Sequence, residues 1–551
     1  MAELFARHRA TLEAAVAASR SRGFWSPYPE LPSGKIYGET AKADAEAAFA
    51  ALAGAPFPLD QESRGEPVGE EVSPWTGEPL GIRYPRAEVE ALVAAAERAR
   101  GPWARASVET RVGIALEILA RLNRDSFLIA NAVQHTTGQS FVMAFQAGGP
   151  HAQDRGLEAV AVAFEEMTRF PARALWEKPQ GKAPPIRLAK EWRLVPRGIG
   201  LVIGCSTFPT WNGYPGLFAS LVTGNAVIVK PHPRAVLPLA LTVKTARQVL
   251  REEGFAPDIL QLAVDTSAAP ITKELALHPA IGIVDFTGSP TFGAWLRENL
   301  RDKLLFTEEA GVNPVVIQGC HDLSAVCANL AFSLSLYSGQ MCTAPQNIFV
   351  PERGIRVGDG TIDFDGFARA LVAAIDELLS DPARASAVLG TIQNPATLER
   401  IARARGLGRM LRDSTPLSGA GPARTATPLL VELPAEAAWC SEWFGPISFL
   451  IRCRDPEEAL ERAVRAARSK GAITAALWAT DPGFVERAVE AFAEAGAPLS
   501  INLEGGIYVN QAAAFSDLHV SGANPAGNAT FVDTAFVAGR FRRCGIRRPA
   551  G

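Results

Sequence analysis

The chain has 551 residues, 48% of them apolar and 21% charged, and its 55 Lys and Arg against 58 Asp and Glu leave a net charge of −3. That length exceeds a single compact core, so two or three subdomains of ordinary soluble-enzyme composition are expected. The balanced charge excludes a global positive field, and no apolar run approaches the ~20 residues that span a bilayer, so neither nucleic acid nor membrane is an expected partner.

The opening stretch "MAELFARHRATLEAAVAASRSRGFW" is charged throughout and lacks the apolar region of a signal peptide. Residues 1–72 read as a helical extension closing on the polar connector "DQESRGEPVGEEV". "SPWTGEPLG" (73–81) is turn-rich, and 86–170 carries apolar residues three and four apart, the period of amphipathic helices. Pro, Gly and alternating apolar residues over 181–198 predict an exposed hairpin. Four β-branched runs follow, "GIGLVIGC" (198–205), "NAVIVKP" (225–231), "ILQLAV" (259–264) and "AIGIVDFTGS" (280–289), separated by helical segments. Such alternation predicts parallel βα units. A second set, "NPVVIQG", "NIFVP", "SFLIRC", "AITAALWAT" and "LSINL", starts after a join near 305–310. The basic tail "RFRRCGIRRPAG" (540–551) reads as a solvated terminal or subunit-contact strand. Seven cysteines form no CxxC pair, which argues against a zinc site or a disulfide framework and fits a reducing cytoplasm.

Four stretches carry candidate chemistry. In "VDFTGSPTFGAWLREN" (284–299) a strand turns through Gly288 and Ser289 into a helix, whose free N–H groups suit a pyrophosphate. "GNAVIVKPHP" puts Lys230 at the carboxyl end of a buried strand, where ligands bind in open α/β sheets. "LFTEEAGVNP" supplies two acids, Glu308 and Glu309, either of which half-buried would serve as a general base. "SLYSGQMCTAPQNIFV" holds Cys342, a packing residue or a nucleophile.

In order and spacing these motifs resemble the aldehyde dehydrogenase superfamily: "FTGS", the acid of "EEAG-x-NP", "GQMC" 34 residues after Glu308, then "SEWFGP" (441–446). The resemblance runs from about 73 to 530. Within the superfamily, "SGQMCTAPQN", "VKPHPRAVLPLAL" and "FSDLHVSGANPAGNAT" look most like the phenylacetic acid degradation branch, PaaN. The resemblance implies an α/β fold of two Rossmann-like domains plus a small oligomerisation sheet. The nucleotide-binding domain would take 73–180 and 199–305, the catalytic domain 306–510, and the oligomerisation segments 181–198 and 511–551. It further implies a homodimer or dimer of dimers acting on a small-molecule aldehyde, in the cytoplasm. Cys342 would attack the aldehyde and Glu308 would activate water against the resulting thioester. Lys230, Gly288, Ser289, Glu442 and Phe444 would hold the dinucleotide.

The chain also departs from the family pattern. The family's oxyanion Asn, 23 residues before the lysine, is Thr207 here, with Asn212 five residues on as the alternative. Pro233 replaces a carboxylate that often follows the lysine, and His232 and Arg234 flank it, so NADP is expected ahead of NAD. Glu309 competes with Glu308 for the base role, spacing favouring Glu308. Phe208, Trp211 and Tyr214 line an aldehyde tunnel or belong to the core. No histidine accompanies Cys342, Glu308 or Glu442 within their own motifs, so a Cys–His pair of the protease sort is not expected. The leading expectation is oxidation of a ring-cleavage semialdehyde, or its CoA thioester, to the acid. A CoA-acylating dehydrogenase, a non-redox Cys-dependent esterase or thioesterase, and a catalytically silent scaffold stay open.

Overall fold

The computed structural model describes residues 2–309, 311–433 and 439–550. The first 168 residues are mainly helical, and the extension is built into the body of the protein. Helix Ala2–Ser21 buries Leu12 and Ala15 against helices Val108–Arg124 and Pro150–Thr168. It lies so close that a Cβ on Gly113 would stand 2.7 Å from the Phe5 backbone nitrogen, so only glycine fits there. Bridges between Pro56 and Arg83, Val68 and Tyr84, and Val72 and Pro79 tie the polar connector to the segment after it. No described helix is long and apolar enough to cross a membrane.

An antiparallel hairpin follows, β1 (Arg173–Gln180) and β2 (Ala183–Pro196). The stretch 181–198, expected to hold the whole hairpin, supplies only its second strand; the first lies just before it, in residues assigned to the nucleotide-binding domain. Then come β3 (Ile199–Ile203), β4 (Ala226–Lys230), β5 (Leu260–Leu262), β6 (Ile281–Gly288) and β7 (Leu304–Glu309). They form one parallel sheet in the order β5-β4-β3-β6-β7. β3, β4 and β5 are buried along their whole length, which is why they read as unbroken apolar runs. The strand order reverses at β3, between β4 and β6. The crevice at the carboxyl ends there is where an open α/β sheet takes a ligand.

The second sheet uses β8 (Pro314–Ile317), then, beyond β9 (Gly319–Cys320), β10 (Asn347–Pro351). β11 (Ile355–Val357) and β12 (Gly360–Ile362) join β9 in a small separate sheet. β13 (Arg409–Arg412), β14 (Leu429–Glu432), β15 (Ile447–Cys453), β16 (Ala475–Trp478) and β17 (Leu499–Ile501) complete the seven-stranded order β13-β14-β15-β10-β8-β16-β17. Only β13 runs antiparallel. Since β7 pairs with β6, the expected division at 305/306 cuts through a strand, and the change of sheet comes after Glu309.

After β17 the chain returns to the first sheet. Asn528 Oδ1 accepts from Thr307 N at 2.7 Å, its Nδ2 donates to Leu305 O at 2.8 Å, and Glu308 bridges Gly527. The return segment thereby covers the free edge of β7. Arg540 then anchors it. Its buried guanidinium holds Asp285 of β6 through bonds of 2.8 and 2.6 Å and reaches Ser220 Oγ at 2.7 Å. The last strand, β18 (Phe541–Pro549), pairs with β2 in a three-stranded sheet.

Candidate active site

β7 ends in two acids, and strand alternation sends them to opposite faces. Glu309 packs over Gly293 and pairs with Arg297 of helix Pro290–Asn299. It is committed to that pair and faces away from the cysteine loop, which removes it as an alternative base; Ala310 of the same "EEAG" motif lies outside the described residues. Glu308 is buried on the other face. Its Oε2 accepts from Asn212 Nδ2 at 2.8 Å and its Oε1 lies 2.8 Å from His519 Nε2. Burial alone would raise this carboxyl, but the neighbouring imidazole and hydrogen bonds from His519, Cys342 and Asn212 outweigh it and hold it below its ordinary value.

Cys342 follows a turn with three successive left-handed residues, Tyr337, Ser338 and Gly339, at φ 51°, 48° and 61°. Such backbone persists only where its surroundings fix it. Here Ser338 Oγ donates to Leu389 O and Ala426 O, and Gln340 exchanges bonds with Thr391 and Gln393. From the other side Asn313 Nδ2 donates to the carbonyls of Cys342 (2.8 Å) and Ala344 (2.9 Å). The sulfur so placed is half-buried, 4.0 Å from His519 Nε2. Burial, then the adjacent Glu308, pushes the thiol well above its ordinary value.

His519 was not foreseen in the sequence, and the expectation that no histidine pairs with the nucleophile is corrected by its position. It sits 177 residues after Cys342, in the return segment assigned to oligomerisation. Trp211 meets it edge-on at 4.6 Å, and the Arg155 guanidinium lies over the indole at 5.0 Å. Arg155 is buried and bonds Glu158 and Asp517 O through Nη1, while its Nε and Nη2 have no hydrogen-bond partner among the described residues. Of the other two aromatics, Tyr214 is core, bonded to Thr242 Oγ1, and Phe208 is buried edge-on to Tyr337.

The two oxyanion candidates separate. Asn212, in the first turn of helix Pro209–Val222, joins the cluster through Glu308. Thr207 accepts from Gln139 Nε2 at its carbonyl and turns its N–H and hydroxyl toward the Cys205 sulfur, a thiol that burial pushes up to about 11.

Lys230, Ser289 and Glu308 all lie at the carboxyl edge of the first sheet. Lys230 is buried and bonds Asp265 Oδ1 at 2.5 Å and Pro231 O at 2.9 Å. Ser289 caps helix Pro290–Asn299, and a Cβ on Gly288 would strike the Phe286 ring at 2.7 Å, so packing also requires that glycine. Glu442 is half-buried, and burial, opposed by Arg400, lifts its carboxyl to about 7. Arg400 Nε also holds Phe444 O at 2.9 Å, while Gln346 of the cysteine motif fixes Trp443 N and Ser441 O. Of the two groups that favoured NADP, His232 and Arg234, one carries no charge. Burial and nearby cations push His232 down to about 4, so it is neutral at physiological pH. Arg234 Nη1 donates to Asn394, and the charge of Lys230 is matched by Asp265 with Glu70 close by.

Residues 61–532 match the aldehyde dehydrogenase family model. A solved NAD-dependent aldehyde dehydrogenase from Burkholderia multivorans is 52% identical and superposes with a TM-score of 0.97, covering 99% of each chain. Among curated proteins, N-succinylglutamate 5-semialdehyde dehydrogenase of Burkholderia lata is 28% identical over 411 residues, 72% of this chain and 77% of its own. That of Chromohalobacter salexigens is 29% identical over 389, 68% and 73% respectively. With a cysteine, an acid and a ligand crevice meeting at one sheet edge, and a family match spanning most of the sequence, this chain belongs to the aldehyde dehydrogenase family and is an NAD(P)-dependent aldehyde dehydrogenase.

Proposed function

We propose that the protein oxidises a semialdehyde, an aldehyde with an anionic far end, to the corresponding acid, using NAD. The cluster of Cys342, Glu308 and Asn212 at the carboxyl edge of the first sheet carries this reading. Cys342 forms the C–S bond to the aldehyde carbon. Asn212, the amide bonded to Glu308, is assigned the oxyanion in place of Thr207. A nicotinamide dinucleotide, when bound, supplies the hydride acceptor that turns the adduct into a thioester. Glu308, held ionised, takes a proton from the water that hydrolyses it.

A bound dinucleotide would take Lys230 at its adenosine ribose, the helix start at Ser289 at its pyrophosphate, and Glu442 with Phe444 at its nicotinamide end. A neutral His232 and a charge-matched Lys230 leave Arg234, bonded to the Asn394 amide, as the cation beside the lysine, a weaker set for a 2′-phosphate than the sequence suggested, and this supports NAD. The unpaired N–H groups of Arg155 behind Trp211 favour a carboxylate or similar anion at the far end of the substrate. The named relatives act on a semialdehyde with such groups. The likeness to the phenylacetate branch keeps ring-cleavage semialdehydes first among the compounds to try. The exposed β1-β2-β18 sheet supports a homo-oligomer.

The test is a spectrophotometric screen of ω-carboxyl and plain alkyl aldehydes with NAD or NADP, each with and without CoA. The expected result is NADH formation, faster with the carboxylated series and lost in Cys342→Ala. Acyl-CoA product would replace water by CoA as the deacylating nucleophile, and equal rates across both series would remove the anionic substrate class.

A further inference from the structure

The polar connector that closes the helical extension ends on two neighbouring acids, and their side chains part company. The connector is drawn out beside the segment after it, with bridges from Val68 to Tyr84 and from Val72 to Pro79. In such extended chain, successive side chains leave on opposite sides. Glu71 turns inward. Its Oε1 accepts from Val236 N at 2.6 Å and Leu237 N at 2.9 Å at the start of helix Leu237–Glu252, and its Oε2 accepts from the Tyr84 hydroxyl. A Cβ on Gly69 would stand 2.0 Å from the Ile82 carbonyl oxygen, so the backbone is fixed on that side as well. Glu70, half-buried, goes the other way, to the loop after β5. Its Oε2 accepts from Ser267 N at 3.0 Å and its Oε1 from the Ser267 hydroxyl. Asp265 of the same loop holds Lys230 through Oδ1 and accepts from Ile271 N through Oδ2 at 3.0 Å. The connector thereby delivers a carboxylate to the carboxyl ends of β4 and β5, where it acts on the charge of both Lys230 and His232.

The two acids of this edge differ in what they have left to offer. Asp265 is buried and committed to the ammonium and to its own loop. Each carboxylate oxygen can accept two hydrogen bonds, and Ser267 takes one at each oxygen of Glu70, so Glu70 retains acceptor capacity on a side chain that solvent reaches. The neighbouring His232 carries no charge, and Arg234 is turned to Asn394. A hydroxyl arriving here meets an acceptor, whereas a phosphate meets a group of its own sign. Resting on the reading above that a dinucleotide places its adenosine ribose at Lys230, we propose that Glu70 selects NAD over NADP, accepting from the ribose 2′-hydroxyl and repelling a 2′-phosphate. The connector is then part of the cofactor site, held in place by Glu71, and supplies the carboxylate that Pro233 cannot. Selection works by exclusion as much as by attraction, since a 2′-phosphate would have to displace or neutralise a fixed like charge. A carboxylate that merely pinned the Ser267 loop would affect both dinucleotides alike.

The experiment is calorimetric titration of the full chain with NAD, with NADP, and with adenosine 2′,5′-bisphosphate, which carries the contested phosphate and no nicotinamide. The parent is expected to bind NAD at least ~10-fold more tightly than NADP. Glu70→Gln keeps an oxygen for Ser267 N and removes the charge. It is expected to bind NADP and the bisphosphate about 10-fold more tightly than the parent does, while NAD weakens, so that the preference disappears. Glu70→Ala should change the ratio in the same direction, and it serves if the glutamine protein fails to fold by thermal melting. A parent that binds NADP as tightly as NAD would overturn the proposal. So would a folded variant whose affinities for the two dinucleotides change in equal measure, which would leave Glu70 a clamp on the Ser267 loop. A parent that binds neither dinucleotide fails differently, because it sinks the reading of the crevice on which the proposal rests.

Discussion

Glu308 and Glu309 are adjacent in sequence and have different environments, and that difference fixes what substitution should do. Glu308→Gln leaves Cys342 and His519 in place but removes the base for hydrolysis. A pre-steady-state burst of about one NADH per site should survive, while steady-state turnover falls by at least ~10²-fold. Glu309→Gln should leave the kinetics unchanged and cost stability through Arg297, as expected of a structural ion pair. Asn212 donates to Glu308, so Asn212→Ala removes a charge-assisted bond from a buried carboxylate and lets its pKa climb. The acid limb of the kcat–pH profile should move up, whereas Thr207→Ala should leave it in place; stopped-flow and steady-state profiles check both. Glu442 titrates near 7, and its carboxylate is assigned to the ribose hydroxyls of the dinucleotide. NAD affinity by calorimetry should therefore weaken as pH falls through about 7, and Glu442→Gln should bind weakly at every pH.

The elements legible in the sequence were those buried on both faces. β3, β4 and β6 announce themselves as β-branched runs because parallel strands have no solvent side. β1 did not, since "RALWEKPQ" is almost wholly exposed and shows no alternation, and β13 is a four-residue edge strand. β7 was hidden by the two acids at its end. The same rule applies to the site: the cysteine loop is legible because its motif is contiguous, although Ser338 and Gln340 fasten it to Leu389, Thr391, Gln393 and Ala426. His519 is brought in by a return segment whose position depends on distant contacts with Asn528 and Arg540. The charge expected of His232 was hidden for a related reason, because burial and nearby cations, not its place beside the lysine, decide it. The Arg540 anchor can be tested at this scale. Arg540→Met leaves Asp285 buried without its bidentate partner, and breaking such a pair costs about 3–5 kcal/mol. Chemical denaturation should show that loss. Adding Asp285→Asn should cost less than the two single changes summed, since the second change removes an already stranded charge.

At the scale of the whole molecule, the β1-β2-β18 sheet is the part that a single chain leaves unfinished. Three strands make a marginal sheet unless one face is covered. Here β1 is exposed along nearly its whole length and β18 along most of its own. Leu175 and Val195 stand 54% and 45% exposed on one face of this sheet, and Ile186 stands 41% exposed on the other. β18 also presents a free edge with unpaired backbone groups, a template for another chain. The arginines of the basic tail lie on this strand, where they keep such an edge soluble until it pairs. A homodimer, alone or doubled, resolves both the uncovered face and the open edge. Light scattering on the intact chain should therefore report a multiple of the 58.6 kDa protomer. Leu175→Glu with Val195→Lys places charge on the face they share without touching Cys342, Glu308 or the nucleotide crevice. That double variant should shift toward the protomer mass and melt at lower temperature. Because Arg540, which anchors the segment carrying His519, immediately precedes β18, its kcat should fall along with its assembly. A variant that stays fully assembled would show that the chains associate through another surface.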